Sequence, residues 1–316
     1  MWRTPDPDRF VVGANLPWVG YGTDFGASAW YPDGGLARRP EAIEVLDRTF
    51  ATLAQDGLTI ARVFLLCDLR SGVHFDGGGT PSGLDAAVIP DLTALIDSAR
   101  RHGIGLMPVL LDFHLCGPVE IVRDVQLGGR SQLISDEDAA TALVERVIGP
   151  IADTFGGDET IVAWDVMNEP EWCLRGGLFS PRNTVKMRAM QRFLDMAARR
   201  IRAVAHQPVT VGSAGTWKLE LVRPLDLDFH QVHWYDRFGW PALTRPVSEL
   251  ELGTRPVILG EFSGRSARLP EVLDAAKSAG YEGAMVWSVL SEDEYSAYPP
   301  EIAEWVRSAG PSPDAT

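Results

Sequence analysis

The sequence predicts an α/β protein that folds as a (β/α)8 barrel, and three observations support this. Short apolar runs rich in β-branched residues alternate with longer stretches that have helical spacing. Eight such runs occur, most of them continuously apolar, as expected for parallel strands buried on both faces. A doubly wound sheet would normally have a glycine-rich phosphate turn after its first strand, and the segment ANLPWVGYG at that position does not match one.

The strand and helix signals follow one another in a regular order. The predicted strands span 10–16, 59–66, 105–113, 160–168, 208–214, 229–235, 256–262 and 282–289. The predicted helices span 41–57, 90–103, 136–156, 184–205, 269–280 and 300–310, with weaker signals at 218–224 and 241–252. Several helices are followed by a glycine just past their last apolar position, which is typical of helix C-termini.

The chain is expected to form a single domain over residues 1–310, followed by a frayed tail over 311–316. A minimal barrel needs about 250 residues, so the additional length must lie in loops. The long loops follow the first four strands, at 17–40, 67–89, 114–135 and 169–183. All four are βα loops, which lie on the C-terminal face where such barrels place their sites.

Charge and cysteine content exclude several classes of partner. The 316 residues have a formal net charge of −14, which disfavours binding to nucleic acid and to anionic membranes. The three cysteines (Cys67, Cys116 and Cys173) are far apart and odd in number, unlike a disulfide framework or a zinc motif. The first residues lack a basic start with an apolar core, and no apolar run is long enough to span a bilayer. We therefore expect a cytoplasmic protein, or a secreted one if a signal peptide has been removed.

Two glutamates follow apolar strands at positions that a barrel brings together. Glu169 ends strand four and Glu261 ends strand seven, so both would face the C-terminal mouth. Glycosidic cleavage uses two facing carboxyls: one protonates the leaving oxygen, and the other attacks the anomeric carbon or activates water. A separation of about 5–5.5 Å corresponds to retention of configuration and about 6.5–9.5 Å to inversion. The sequence therefore predicts a carbohydrate-cleaving site at this mouth.

The motifs around these glutamates resemble those of a known family. The segment WDVMNEP (164–170) resembles the Asn-Glu-Pro signature of clan A glycoside hydrolases, and VILGEF (257–262) resembles the nucleophile strand of glycoside hydrolase family five, the cellulase and mannanase family. The resemblance covers strands two to eight and includes further residues in the family's order: Arg62, His114, the HWY segment at 233–235, and Trp287.

The resemblance implies a role for each of these residues. Glu169 would be the general acid/base and Glu261 the nucleophile. An opposite charge on Arg62 would lower the pKa of Glu261 and keep it ionised, whereas drier, like-charged surroundings would raise that of Glu169. The remaining implied substrate-site residues are His114, Asn168, His233, Tyr235 and Trp287. Asn168 would bind the sugar 2-hydroxyl, Tyr235 would contact the nucleophile, His233 would lie beside the acid/base, and Trp287 would form the floor under the attacked sugar.

Some candidates also have a structural interpretation. Trp18 and Trp172 lie in predicted βα loops and suit sugar stacking, but they suit packing as well. Arg62 also suits a buried ion pair, and Trp287 also suits the core. His230 and His233 are three apart on a strand and point to opposite faces, so we expect no metal site there. Four polar residues of the predicted rim suit either sugar binding or simple solvation: Asn15, Asp68, Glu292 and Asp293.

These observations predict a retaining β-glycosidase acting on β-linked gluco- or manno-configured oligosaccharides or glycosides. No cofactor and no metal are expected, because two carboxyls are sufficient for the chemistry. One alternative is a transglycosylase that passes the same glycosyl-enzyme to a sugar acceptor. A second is a catalytically silent carbohydrate-binding barrel, which the intact glutamate pair disfavours.

Overall fold

A computed structural model of the protein describes residues 10–175, 185–235, 243, 245–266, 268–290 and 292–309. In this part of the chain eight parallel strands close into a barrel, each paired with the next along the chain and the last paired with the first. These strands, β1 to β8, are Val11–Asn15, Ile60–Phe64, Gly105–Asp112, Trp164–Asn168, Val209–Ser213, His230–Trp234, Val257–Ser263 and Gly283–Trp287. The predicted (β/α)8 fold class is therefore confirmed.

The helices lie between the strands and cover the outside of the barrel. Their bounds are Pro40–Gln55, Val88–Arg101, Gln132–Ser135, Glu137–Leu143, Gly149–Phe155, Met187–Arg202, Leu269–Ser278 and Pro300–Ala309. The single helix predicted over 136–156 contains a π-helical segment, Val144–Ile148, between two α-helical parts. Its start is capped by Asp136, whose side chain accepts a hydrogen bond from the Ala139 amide.

Of the two weaker helix predictions, the first does not hold and the second is only partly covered by the described residues. Residues 218–224 form only a 3-10 turn, Leu219–Leu221, because Pro224 follows and disfavours helical backbone at the residue before it. The prediction over 241–252 lies partly outside the described residues. Its described end contains a short 3-10 turn, Val247–Glu249.

The long loops carry structure that the sequence did not reveal. The loop after β2 contains a hairpin of Val73–Phe75 paired with Pro81–Leu84, and the loop after β3 contains a second, Glu120–Val122 paired with Val125–Leu127. The predicted loop after β4 and the predicted tail lie partly or wholly outside the described residues. Among the described residues no helix has both the length and the apolar character required to cross a membrane. The cytoplasmic location stays a prediction.

The barrel interior changes from apolar to polar along its axis. Near the N-terminal ends of the strands, inward-facing apolar side chains from several strands form a closed cluster. Nearer the C-terminal ends, the buried interior is polar, with Arg62, Asp165, Gln231 and Glu261. Charged groups buried at this depth require partners, so the upper half of the barrel holds a hydrogen-bonded network.

Candidate active site

The two predicted glutamates face each other at the C-terminal mouth. Glu169 follows β4 and Glu261 lies near the end of β7. One carboxylate oxygen of Glu169 lies within 4.8 Å of a carboxylate oxygen of Glu261, and both oxygens are within that distance of a ring nitrogen of His233. So short a separation matches the retaining geometry of about 5–5.5 Å between carboxyl groups and leaves no room for the spacing of an inverting pair.

The backbone at Glu169 turns sharply to aim its carboxyl into the mouth. Glu169 has a φ of 48°, in the left-handed region that non-glycine residues rarely adopt, and Pro170 follows it directly. Such strain is commonly held in place at functional sites by surrounding structure. Here the Glu169 amide donates to the Gly212 carbonyl on β5 at 2.7 Å.

The Glu169 carboxyl lies in a dry environment between two ring nitrogens. Trp172 Nε1 donates to Oε2 at 2.7 Å, and His233 Nδ1 lies 2.8 Å from Oε1. The side chain is only 13% exposed. Burial raises the pKa of Glu169 to about 7, and the charge of Asp112 contributes in the same direction while the Trp172 bond opposes it. A carboxyl with this pKa can hold a proton near neutral pH and donate it.

The Glu261 carboxylate is held at both oxygens. Arg62 Nη1 donates to Oε1 at 2.6 Å, and the Tyr235 hydroxyl donates to Oε2 at 2.6 Å. The expectation that Arg62 would leave this pKa low is corrected: burial raises the pKa of Glu261, and His233 and Arg62 only partly oppose the rise. Complete burial outweighs a single cation because desolvation penalises the charged form directly.

Arg62 is the centre of the polar network, and it joins the site to the barrel interior. It is fully buried and bonds to Asp165 through Nε and Nη2, at 3.0 and 2.9 Å, in addition to Glu261. Nη1 also donates to Asn15 Oδ1 and Nη2 to Asn168 Oδ1, at 3.0 and 2.9 Å. The two interpretations of Arg62 therefore hold together: it is a buried ion-pair partner and it also binds the candidate nucleophile.

Strand β6 supplies His233 from a bulge. The strand register shifts between Val232 and His233, which places His233 opposite Glu261 on β7. Space for the ring comes from Gly260, where a Cβ would lie 3.1 Å from His233 Nε2. Burial lowers the pKa of His233 to about 4, so the ring is neutral beside the two carboxyls. Glu169, His233 and Glu261 are near enough to share a metal ion, although protein donors already occupy the carboxylate oxygens.

Trp287 ends β8 and lies within an aromatic cluster. Its ring packs edge-on against Trp18 and Phe64, each with centroids 6.0 Å away, and is 8% exposed. Nε1 donates to Asp293 Oδ2 at 2.7 Å, which fixes the orientation of the ring. Trp287 thus belongs to a largely buried cluster at the C-terminal end of β8, and Trp18 belongs to the same cluster.

A second aromatic group lies on the Glu169 side of the mouth. Trp172 contacts Phe113 and the exposed Trp217, with centroids 6.5 and 5.4 Å apart. His114 stacks on Phe113, and its Nδ1 lies 3.0 Å from Asp112 Oδ1. Burial lowers the pKa of His114, but Asp112 outweighs it and raises the pKa above its ordinary value.

Several predicted rim residues have structural roles. Asn15 is fully buried, and its amide donates to the Gly260 carbonyl at 3.0 Å, so it is not a rim group. Asp68 is buried against Arg70 at 2.8 Å, and Asp293 is occupied with Trp287. Glu292 remains exposed, as solvation predicts.

Sequence reasoning missed two buried acids of this site. Asp165 was detectable as a lone carboxylate within the apolar strand β4, where only a cationic partner makes such burial tolerable. Glu171 follows the Asn-Glu-Pro motif directly and is also buried. No local pattern distinguished it from a surface glutamate.

The barrel and its pair of buried facing carboxyls define a glycoside hydrolase with retaining geometry. Comparison with known proteins agrees with this class. The chain is 25% identical to a mannan endo-1,4-beta-mannosidase of Mytilus edulis over 88% of this chain and 83% of that protein. It is 23% identical to a mannan endo-1,4-beta-mannosidase of Cryptopygus antarcticus over 91% of this chain and 82% of that one. The resemblance to clan A glycoside hydrolases of the family-five type is confirmed.

Solved structures show the same fold. The endo-1,4-beta-mannanase of Eisenia fetida aligns with a TM-score of 0.75 at 22% identity, covering 94% of this chain and 90% of that chain. The endoglucanase Cel5A of Thermotoga maritima aligns with a TM-score of 0.60 at 14% identity, covering 95% and 96%. No family model matches the sequence.

Proposed function

We propose that this protein is a retaining endo-β-1,4-mannanase in which Glu169 is the general acid/base and Glu261 the nucleophile. The observation that carries the proposal is the buried carboxyl pair, whose members lie within 4.8 Å and have different partners. Glu261 is bound by a cation and a phenol hydroxyl, and Glu169 by two ring nitrogens. The mannan substrate is supported by the curated relatives, which are named for endo cleavage of 1,4-linked mannan.

In the first step, a Glu261 oxygen attacks the anomeric carbon and the bond to the leaving sugar breaks. Glu169 donates its proton to the departing oxygen, which a pKa of about 7 permits at neutral pH. Arg62 and Tyr235 orient the Glu261 carboxylate by donating to its two oxygens. The carboxylate loses its negative charge when the glycosyl-enzyme ester forms. In the second step, Glu169 takes a proton from water, the water attacks the same carbon, and Glu261 leaves.

Asn168 and Trp287 are proposed to bind the attacked sugar. Arg62 holds the Asn168 side-chain oxygen, which leaves the amide nitrogen as the donor to a sugar hydroxyl. The Trp287 ring supplies apolar area at the base of the mouth, with its own N–H already satisfied by Asp293. His114, Trp18 and Trp172 are proposed to line the cleft around this position.

The roles are tested by leaving-group dependence. Glu261→Ala is expected to abolish turnover of every substrate, whereas Glu169→Ala should retain turnover of dinitrophenyl glycosides, which need no proton to depart. Azide should accelerate Glu169→Ala by attacking the glycosyl-enzyme. Glu220→Gln, an exposed glutamate in the turn after β5, is the control. Equal loss in both variants on all leaving groups, with no effect of azide, would show the assignment to be wrong.

The substrate is tested by product analysis. Soluble mannan should yield internal fragments, whereas cellulose derivatives should be cleaved more slowly. Release of single sugars from chain ends would contradict endo action. Products longer than the substrate at high sugar concentration would identify a transglycosylase.

A further inference from the structure

A buried carboxyl that the mechanism does not use lies two residues after Glu169. Glu171 is in the 3-10 turn Pro170–Cys173 and is 1% exposed. Its Oε2 accepts a hydrogen bond from the Ala214 amide, just past β5, at 3.1 Å. Ser213 Oγ lies beside the same carboxyl. The side chain therefore reaches from the turn after β4 to the end of β5.

The surroundings of Glu171 favour its uncharged form. The titratable groups that interact with it within the described residues are Glu169 and Cys173 on its own turn. The 3-10 turn after β3, which packs against this turn, carries His114 and Cys116 and follows Asp112 at the end of β3. Strand β5 offers it only a hydroxyl and backbone groups. A carboxylate buried without a cation is costly, so such a group keeps its proton. Burial raises the pKa of Glu171 to about 8, and the charge of Glu169 adds to the rise.

Two buried polar atoms lie at this contact. Glu171 Oε1 and Ser213 Oγ make no hydrogen bond of ordinary geometry in the described part of the chain. The hydroxyl can accept from a protonated carboxyl or donate to an ionised one, so it does not by itself decide the charge of Glu171. Among the described residues no cation is bonded to Glu171, so its ionised form would be a buried, unpaired charge there.

The turn is thus tied to β5 at two points. The Glu169 amide donates to the Gly212 carbonyl at 2.7 Å, and the Ala214 amide donates back to Glu171 at 3.1 Å. Between them Glu169 holds its left-handed backbone, with a φ of 48°. We infer that Glu171 is a positioning residue, held uncharged, that clamps the turn bearing the acid/base to strand β5 and so aims the Glu169 carboxyl. This inference rests on the proposed function for the role of Glu169.

Two substitutions separate clamping from charge. Glu171→Gln keeps the shape and the acceptor for Ala214 and is always neutral, so it should retain kcat/KM within about threefold of wild type. The alkaline side of its pH profile of kcat/KM should stay where it is in wild type, because the substitution removes no charge from an uncharged Glu171. Glu171→Ala removes the clamp and should lower kcat about 10- to 100-fold on poor leaving groups, with a much smaller loss on dinitrophenyl glycosides. Glu220→Gln, which removes an exposed carboxyl near β5, is the matched control.

A substrate-free measurement keeps this test independent of the proposed function. A carboxyl whose pKa is higher in the folded state than in the unfolded state makes the protein less stable as pH rises between those two pKa values. The melting temperature of Glu171→Gln, measured relative to that of wild type, should therefore increase between about pH 5 and pH 8. Glu220→Gln should show no such trend. A Glu171→Gln alkaline limb displaced by about one pH unit, or a melting difference that is flat with pH, would overturn the uncharged assignment. Equal loss by Glu171→Ala on both leaving groups would overturn the positioning role.

Discussion

Arg62→Met is expected to destabilise the protein far more than the loss of a surface arginine. Arg62 is fully buried and neutralises Asp165 and Glu261, which are themselves buried. Methionine has a similar length but no charge, so two carboxyls would remain in the barrel without a cation. Breaking a buried pair in this way costs about 3–5 kcal/mol. Because domains are stable by only about 5–15 kcal/mol, this is a large share of the total.

Urea unfolding at pH 7 measures this cost against a matched control. Arg100 also bridges two acids, Asp97 and Asp158, each at 2.5 Å, but its side chain is 51% exposed. Exposed pairs contribute about 0–1 kcal/mol, so Arg100→Met should lower the free energy of unfolding by no more than that. Both variants thus remove an arginine that bridges two acids. The two ion-pair sites differ chiefly in burial, and Arg62 also donates to two asparagines.

The loss of unfolding free energy caused by Arg62→Met should also depend on pH. Without the cation, the pKa of Glu261 rises further above its unfolded value, because burial already raises it. A carboxyl whose pKa is raised in the folded state makes the protein less stable as pH increases through that range. The difference in free energy of unfolding between wild type and Arg62→Met should therefore grow from about pH 5 to pH 8. A loss no larger than that of Arg100→Met, or one independent of pH, would refute the argument that buried charge makes Arg62 important.

Three further predictions follow from the site. The pH profile of kcat/KM should fall on the alkaline side with an apparent pKa of about 7, because activity requires protonated Glu169; activity still rising at pH 9 would contradict this. Tyr235→Phe removes the 2.6 Å bond to Glu261 and should reduce kcat/KM about 10- to 100-fold and move the acidic limb to higher pH, as steady-state kinetics across pH would show. Trp287→Ala should reduce both kcat/KM and, by about 3 kcal/mol, the free energy of unfolding, since the ring is largely buried and tied to Asp293; unchanged stability would place the ring outside the core.

Much of the fold was predictable because its signals are local. Continuous apolar runs followed by helical spacing identify a strand and its helix within some thirty residues. Each of the eight predicted runs coincides with a barrel strand, and only β7 extends beyond its run, by one residue. The weak helix at 218–224 failed because Pro224 limits the segment to one turn, a signal that was present in the sequence. The hairpins in the long loops were missed since their strands are too short to show alternation.

The placement of Glu169 and Glu261 was also determined by the sequence alone. The C-terminal ends of the strands of a barrel lie together at the mouth, so two strand-end glutamates were expected close to each other there. The left-handed backbone at Glu169, which the sequence did not predict, completes the arrangement. The motif residues His233 and Tyr235 are two apart on one strand and share a face for the same reason.

The tertiary structure decided how those groups are charged and held. Asn15 and Asp165 come from different strands, and only closure of the barrel brings both to Arg62. Whether a glutamate such as Glu171 is exposed or buried depends on the segments that cover it, and these are distant in sequence. The pKa of a carboxyl reflects the balance of burial against partners in space, so it is a property of the closed barrel and not of any segment of the chain.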